Sequence, residues 1–135
     1  MNNINSLTEL KYHHIGLIVE NINNSIEHYA ELFGRSNISE IFTVTSQKVK
    51  VCFVKVSEES YIELVEPQGE ESVVYNLLKK RVSYYHIAYK VKNIHNVVKL
   101  LESLNYKSLE FFTQSLKLTP LYALEFRYRP LCLLK

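Results

Sequence analysis

The sequence predicts an α+β fold built from two repeated β-α-β-β-β modules forming a cupped mixed sheet, with the second module truncated. Three observations predict it. First, residues 12–32 (YHHIGLIVENINNSIEHYAEL) and 84–104 (YYHIAYKVKNIHNVVKLLESL) match at one constant offset, the shift that carries Tyr12 onto Tyr84, with 8 of 21 positions identical. Self-similarity of this length marks two copies of one supersecondary unit. Second, each copy passes from a β-branched, apolar stretch through an asparagine into a helical period. Third, His14 falls on His86 at that offset, so each copy places a histidine at the same point of its first strand.

The elements follow in order. Residues 11–20 are dense in β-branched and apolar side chains and read as a strand. Asn21 is a good N-cap. Ile22, Ile26, Tyr29 and Phe33 then recur at helical spacing, which turns one face inward. Gly34 suits the helix stop. Residues 39–45 and 48–57 read as strands, the second alternating Val49, Val51 and Phe53, with a polar turn at 57–60. YIELVE at 61–66 is the next strand, ended by Pro67 and Gly69. A helical connection over 70–82 joins module 11–69 to module 83–135. The second copy offers a strand at 84–92, an N-cap at Asn93, a helix at 94–104 and a strand near 106–112. A Thr/Ser-containing loop around Pro120 leads to a hairpin with arms at 122–126 and 130–134. The first copy runs from 12 to 83, and the shorter second copy from 84 to 135. Aligning residues 131–135 (LCLLK) with 51–55 (VCFVK) ends the chain on the third strand of its module, leaving no equivalent of YIELVE.

Size and composition bound the function. A chain of 135 residues fits one domain with a real core. Apolar residues are 47% and charged residues 22%, as in a soluble globular protein. No apolar run reaches the roughly 18 residues of a membrane helix. The polar start, MNNINSLTEL, has no apolar signal core, so a cytoplasmic protein is expected, with Cys52 and Cys132 reduced and structural. A net charge of +2 does not argue for nucleic acid. Lys79, Lys80 and Arg81 read as a helix C-terminus. Three glycines leave no phosphate-cradling loop, and there is no nucleophile elbow or cysteine-pair metal motif.

Strand alternation sorts the candidate residues by face. His14, Gly16 and Ile18 share one face, and Ile15, Leu17 and Val19 the other. His86 and Ala88 repeat the first set. In YIELVE, Tyr61, Glu63 and Val65 share a face, opposite Ile62 and Leu64. Helices covering the Ile15/Leu17 and Ile62/Leu64 faces leave His14, Glu63 and His86 on the concave side. Two imidazoles and a carboxylate suit a divalent transition metal with open positions. A buried carboxylate without a cation or a histidine partner is costly, which favours the same assignment for Glu63. His13, His28 and His95 have ordinary places on outward strand and helix surfaces, and Glu66 reads as solvated. Tyr61, Tyr84 and Tyr85 lie near the proposed cup, as core or as pocket lining.

HHIGLIV, YIELVEP and YHIAYKV, with Asn21 and Asn93 opening the helices, resemble the vicinal oxygen chelate superfamily, the fold of glyoxalase I, methylmalonyl-CoA epimerase and the bleomycin-resistance proteins. ELVEP and ALEFRYRPLCLL are most like the epimerase-like group. The resemblance implies a cup holding a divalent metal (Co, Ni, Zn, Mn or Fe) on a His, a Glu or Gln, a second His and a final Glu on the last strand. The first three map to His14, Glu63 and His86. With the last strand missing, the fourth has no counterpart. Glu125 is the nearest acid but sits one hairpin arm too early, and no catalytic base is assigned.

The expected function is a metal-dependent isomerase, epimerase or lyase acting next to a carbonyl or thioester of a small-molecule substrate. The alternative is a metal-free or catalytically impaired small-molecule-binding protein of the bleomycin-resistance kind, which the truncation favours. A sheet without its last strand exposes an unpaired edge, so a homodimer is expected.

Overall fold

The structure, a computed structural model, describes residues 10–113, 120–126 and 129–134. The polar start of the chain and the loop before Pro120 lie outside these residues. The chain divides into two units, residues 14–85 and residues 1–13 with 86–135.

In the first unit, β1 (Lys11–Ile18) leads to α1 (Ile22–Phe33), then β2 (Phe42–Val44), β3 (Val49–Ser57) and β4 (Ser60–Pro67). Asn21 caps α1 as its sequence suggests: its side chain accepts from the Asn24 amide at 3.0 Å. Gly34 ends the helix at φ +89°, a conformation that a side chain disfavours. A 3-10 turn at Arg35–Asn37 follows, and β2 is only three residues long, shorter than the strand expected over 39–45. The strand order is β2-β3-β4-β1. β2, β3 and β4 run antiparallel, and β4 returns beside β1 in parallel, with Gly16 opposite Glu63 and Leu17 opposite Leu64. Beneath α1, Ile22, Cys52, Val54 and Leu64 are buried together, with Ile26, Tyr29 and Phe33 packed on them. The helix covers the face that carries Ile62 and Leu64, as predicted. The connection after β4 contains a shorter helix than expected, α2 (Tyr75–Lys79).

The second unit repeats the path. β5 (Tyr84–Lys90) leads to α3 (Ile94–Ser103), then β6 (Lys107–Thr113), β7 (Pro120–Phe126) and β8 (Arg129–Leu134). Asn93 caps α3 by accepting from the Asn96 amide at 3.1 Å. Val97, Leu101 and Leu133 form the core under this helix, with Tyr89 packed on it. Leu10 joins that core, and the ring of Tyr12 meets Tyr89 edge-on at 6.3 Å.

One expectation is overturned. The second module is not truncated, and its last strand is not missing. Its order is β5-β8-β7-β6, the first module's order strand for strand. β8 pairs with β5 in parallel, Ala88 opposite Cys132 and Tyr89 opposite Leu133, and pairs with β7 antiparallel. Residues 131–134 (LCLL) therefore belong to the equivalent of YIELVE, not of VCFVK. The extra length of the first copy lies largely in its connection after β4, not in a strand that the second has lost. The edge argument for a homodimer loses its premise. Among the described residues, no helix is long and apolar enough to cross a membrane.

Candidate metal centre

β1 and β4 are neighbours in parallel register, so residues that pair across them point to one side of the sheet. His14 and Glu63 meet there. His14 Nε2 lies 3.8 Å from Glu63 Oε1, with both side chains almost fully buried. The separation is too long for a direct hydrogen bond. It is near the roughly 3–3.5 Å between two donors that each stand about 2.1 Å from one ion. Phe53, opposite Glu63 on β3, presses its ring edge-on to the His14 imidazole at 5.5 Å, and Tyr61 meets Phe53 at 6.3 Å. Apolar rings on this flank screen the pair from water, which strengthens every charge interaction inside. Phe53 was legible as a strand residue by its alternation. Its place beside the donors depends on the β3–β4 register, which no local pattern carries.

His86 lies in the other unit at the position equivalent to His14, and it is 5% exposed. Burial lowers its pKa to about 4. The imidazole is therefore neutral at pH 7, which is the form that ligates a metal.

The remaining predicted residues divide cleanly. His28 and His95 are exposed on α1 and α3. His13, Tyr84 and Tyr85 are partly buried on their strands. Glu66 is not simply solvated: its carboxylate accepts the Ile22 amide at 2.8 Å, a second cap for α1 that the sequence reading missed. An acid directly before Pro67, one strand away from a helix start, was the available signal. Glu125 lies on β7, one strand short of the last, as expected.

Cys52 and Cys132 are both buried. They belong to opposite faces. Cys52 pairs with Leu64 in the helix-covered core, where burial pushes its thiol pKa up against hydrogen bonds to Ser39 that lower it. Cys132 pairs with Ala88 and so shares the face of His86.

Residues 13–114 match the family model of the Glyoxalase/Bleomycin resistance protein/Dioxygenase superfamily. The chain belongs to this superfamily. Its resemblance to methylmalonyl-CoA epimerases is found twice over. The mitochondrial methylmalonyl-CoA epimerase of Dictyostelium discoideum is 32% identical over 102 residues, which are 74% of this chain and 60% of that relative. The chain thus spans somewhat less than two thirds of that protein. A Streptomyces coelicolor methylmalonyl-CoA epimerase, solved in complex with 2-nitronate-propionyl-CoA, superposes with a TM-score of 0.82 at 20% identity, over 93% of this chain and 96% of that one. The Mycobacterium tuberculosis enzyme gives 0.79 at 18% identity, over 94% and 87%. These structures establish the superfamily's α+β fold for this chain.

Proposed function

We propose that the protein is a metal-dependent epimerase or isomerase of the glyoxalase superfamily, acting on the carbon next to the carbonyl of a CoA thioester. The observation that carries this is the donor set. His14 and Glu63 are brought together on adjacent strands, and His86 stands at the repeat-equivalent point, all three buried. Two imidazoles and one carboxylate fit a first-row divalent ion of the Co, Ni, Zn, Mn or Fe group and leave positions open for substrate oxygens. The similarity to methylmalonyl-CoA epimerases supports the thioester.

The residues divide the work. His14 and His86 act as neutral donors. Glu63 supplies negative charge in a dry site, where it compensates a cation most strongly. Phe53 and Tyr61 exclude water from that flank and fix the His14 ring. A bound divalent ion supplies Lewis-acid polarisation of the carbonyl, which acidifies the neighbouring C–H. The metal-free alternative drew its weight from a truncated second module and from the missing fourth acidic ligand, and the complete set of strands removes the first of these grounds.

The test is proton exchange. With Co(II) added, methylmalonyl-CoA in D2O should exchange its C2 proton, as read by proton NMR. His14→Ala should abolish exchange and weaken Co(II) binding on the order of a thousandfold while leaving the circular dichroism unchanged. Purified protein that carries under about a tenth of an equivalent of metal, takes up no Co(II) or Ni(II), and catalyses no exchange would overturn the proposal.

A further inference from the structure

The strand edge beside Phe53 is irregular, and one side chain repairs it. Ile38 bridges Val54, while Phe42 pairs with Val51. The chain takes four steps from Ile38 to Phe42 where β3 takes three from Val54 to Val51, so one residue is extra. A bulge of this kind interrupts the ladder of main-chain hydrogen bonds. Ser39 stands at the interruption. Its amide donates to the Phe53 carbonyl at 2.8 Å, and its hydroxyl accepts the Phe53 amide at 2.8 Å. The hydroxyl donates in turn to the Glu40 carbonyl at 2.8 Å, which leaves its lone pairs for Phe53. The Ser39 carbonyl accepts the Cys52 thiol at 3.3 Å, and this ties the residue to the core beneath α1.

Both main-chain polar groups of Phe53 meet Ser39, and the Phe53 ring stands edge-on to the His14 imidazole at 5.5 Å. Resting on the metal reading above, and wholly within residues 14–85, we infer that Ser39 is a positioning residue. It holds Phe53 so that the ring fixes the angle at which His14 presents its imidazole. Two arguments separate this role from plain strand pairing. In a regular ladder the acceptor is a carbonyl, which every residue carries. Here it is a side-chain hydroxyl, so the bond depends on residue type. The point it holds also borders both donors of this unit: Phe53 lies opposite Glu63 across β3 and β4 and touches His14 through its ring. An amide that loses its acceptor turns to another partner and draws its residue with it. Edge-on ring contacts depend on angle and separation, so a displaced ring frees the imidazole to take other rotamers.

The experiment compares Ser39→Ala, Ser39→Thr, Phe53→Leu and the double variant Ser39→Ala/Phe53→Leu in the full-length chain. The ring resonances of His14 are read by NMR in metal-free protein, and Co(II) affinity by isothermal calorimetry. Ser39→Ala should move the His14 resonances and weaken Co(II) binding about tenfold. Ser39→Thr, which keeps the hydroxyl, should restore both. In the Phe53→Leu background, Ser39→Ala should have no further effect on either reading, because its influence passes through that ring. A merely structural serine would lower the melting temperature and leave resonances and affinity unchanged, which overturns the inference. Full additivity in the double variant overturns it too. Should Ser39→Ala fail to fold, Ser39→Cys under reducing conditions, with its weaker acceptor, decides on the same two readings. If the wild type binds no Co(II), the metal reading falls, and the metal-free resonances still decide the role of Ser39.

Discussion

The modules β1–β4 and β5–β8 follow one path and differ at one position on the face of their histidines. Each begins on a strand bearing a buried histidine, turns through a capping asparagine into a helix, and returns by three strands to close beside its start in parallel. Leu64 and Leu133 are equally buried at equivalent places. Where they differ is one residue earlier, an acid in the first module and a thiol in the second. The core is constrained by volume and packing against a helix, which few residues satisfy. The position on the face of the histidines is free of that constraint, and there the copies have parted. A duplicated fold can thus keep its architecture while one facing position changes its chemistry between the halves.

Breaking the symmetry at the histidines should have the largest effect. His14→Ala and His86→Ala should each weaken Co(II) binding on the order of a thousandfold, about 4 kcal/mol, by isothermal calorimetry. Loss in one variant only would mean that the copies do not share a site. Next comes the core. Leu64→Ala and Leu133→Ala should each destabilise by about 2–5 kcal/mol in urea titration, since each empties the space beneath a helix. A cost near zero for Leu133→Ala would contradict the placement of β8.

The pH dependence sharpens the comparison further. Because burial holds His86 at about 4 against 6.5 for the free side chain, the unfolded chain takes up the proton first as pH falls. In metal-free protein, stability should be full above pH 6.5 and decline towards pH 4, by up to about 3 kcal/mol at about 1.4 kcal/mol per unit. His86→Gln should flatten that decline, and equal slopes in both proteins would refute its cause. The smallest effects lie at the caps: Asn21→Ala and Asn93→Ala should each lower stability by about 1 kcal/mol in thermal denaturation. A smaller loss at Asn21 would show the Ile22–Glu66 bond sharing its duty.

Much of this was legible in the chain because the signals are local. Asn21, Asn93 and the Ile22/Ile26/Tyr29/Phe33 spacing each report on their own few neighbours, and alternation, with a helix over the apolar faces, put His14 and Glu63 on one face. The misplaced last strand shows the limit. LCLLK resembles VCFVK because both are apolar strand segments, and such likeness does not say which neighbour a strand joins. Only the parallel register to β5 decides that, and it depends on residues far apart in the chain, as in the pairing of Ala88 with Cys132. The shortness of α2 has the same origin, since the turns before Tyr75 compete with propensity.

Glu63 and Glu66 stand three apart on β4, so their carboxylates serve opposite sides: one meets an imidazole, the other holds the first amide of α1. β4 is in this way pinned from above and below. A slip of one residue would exchange the two acids' surroundings, stranding a charge in the helical core and uncapping α1 in the same movement. The strand that carries Glu63 therefore also carries its own alignment mark, and the helix start reads it.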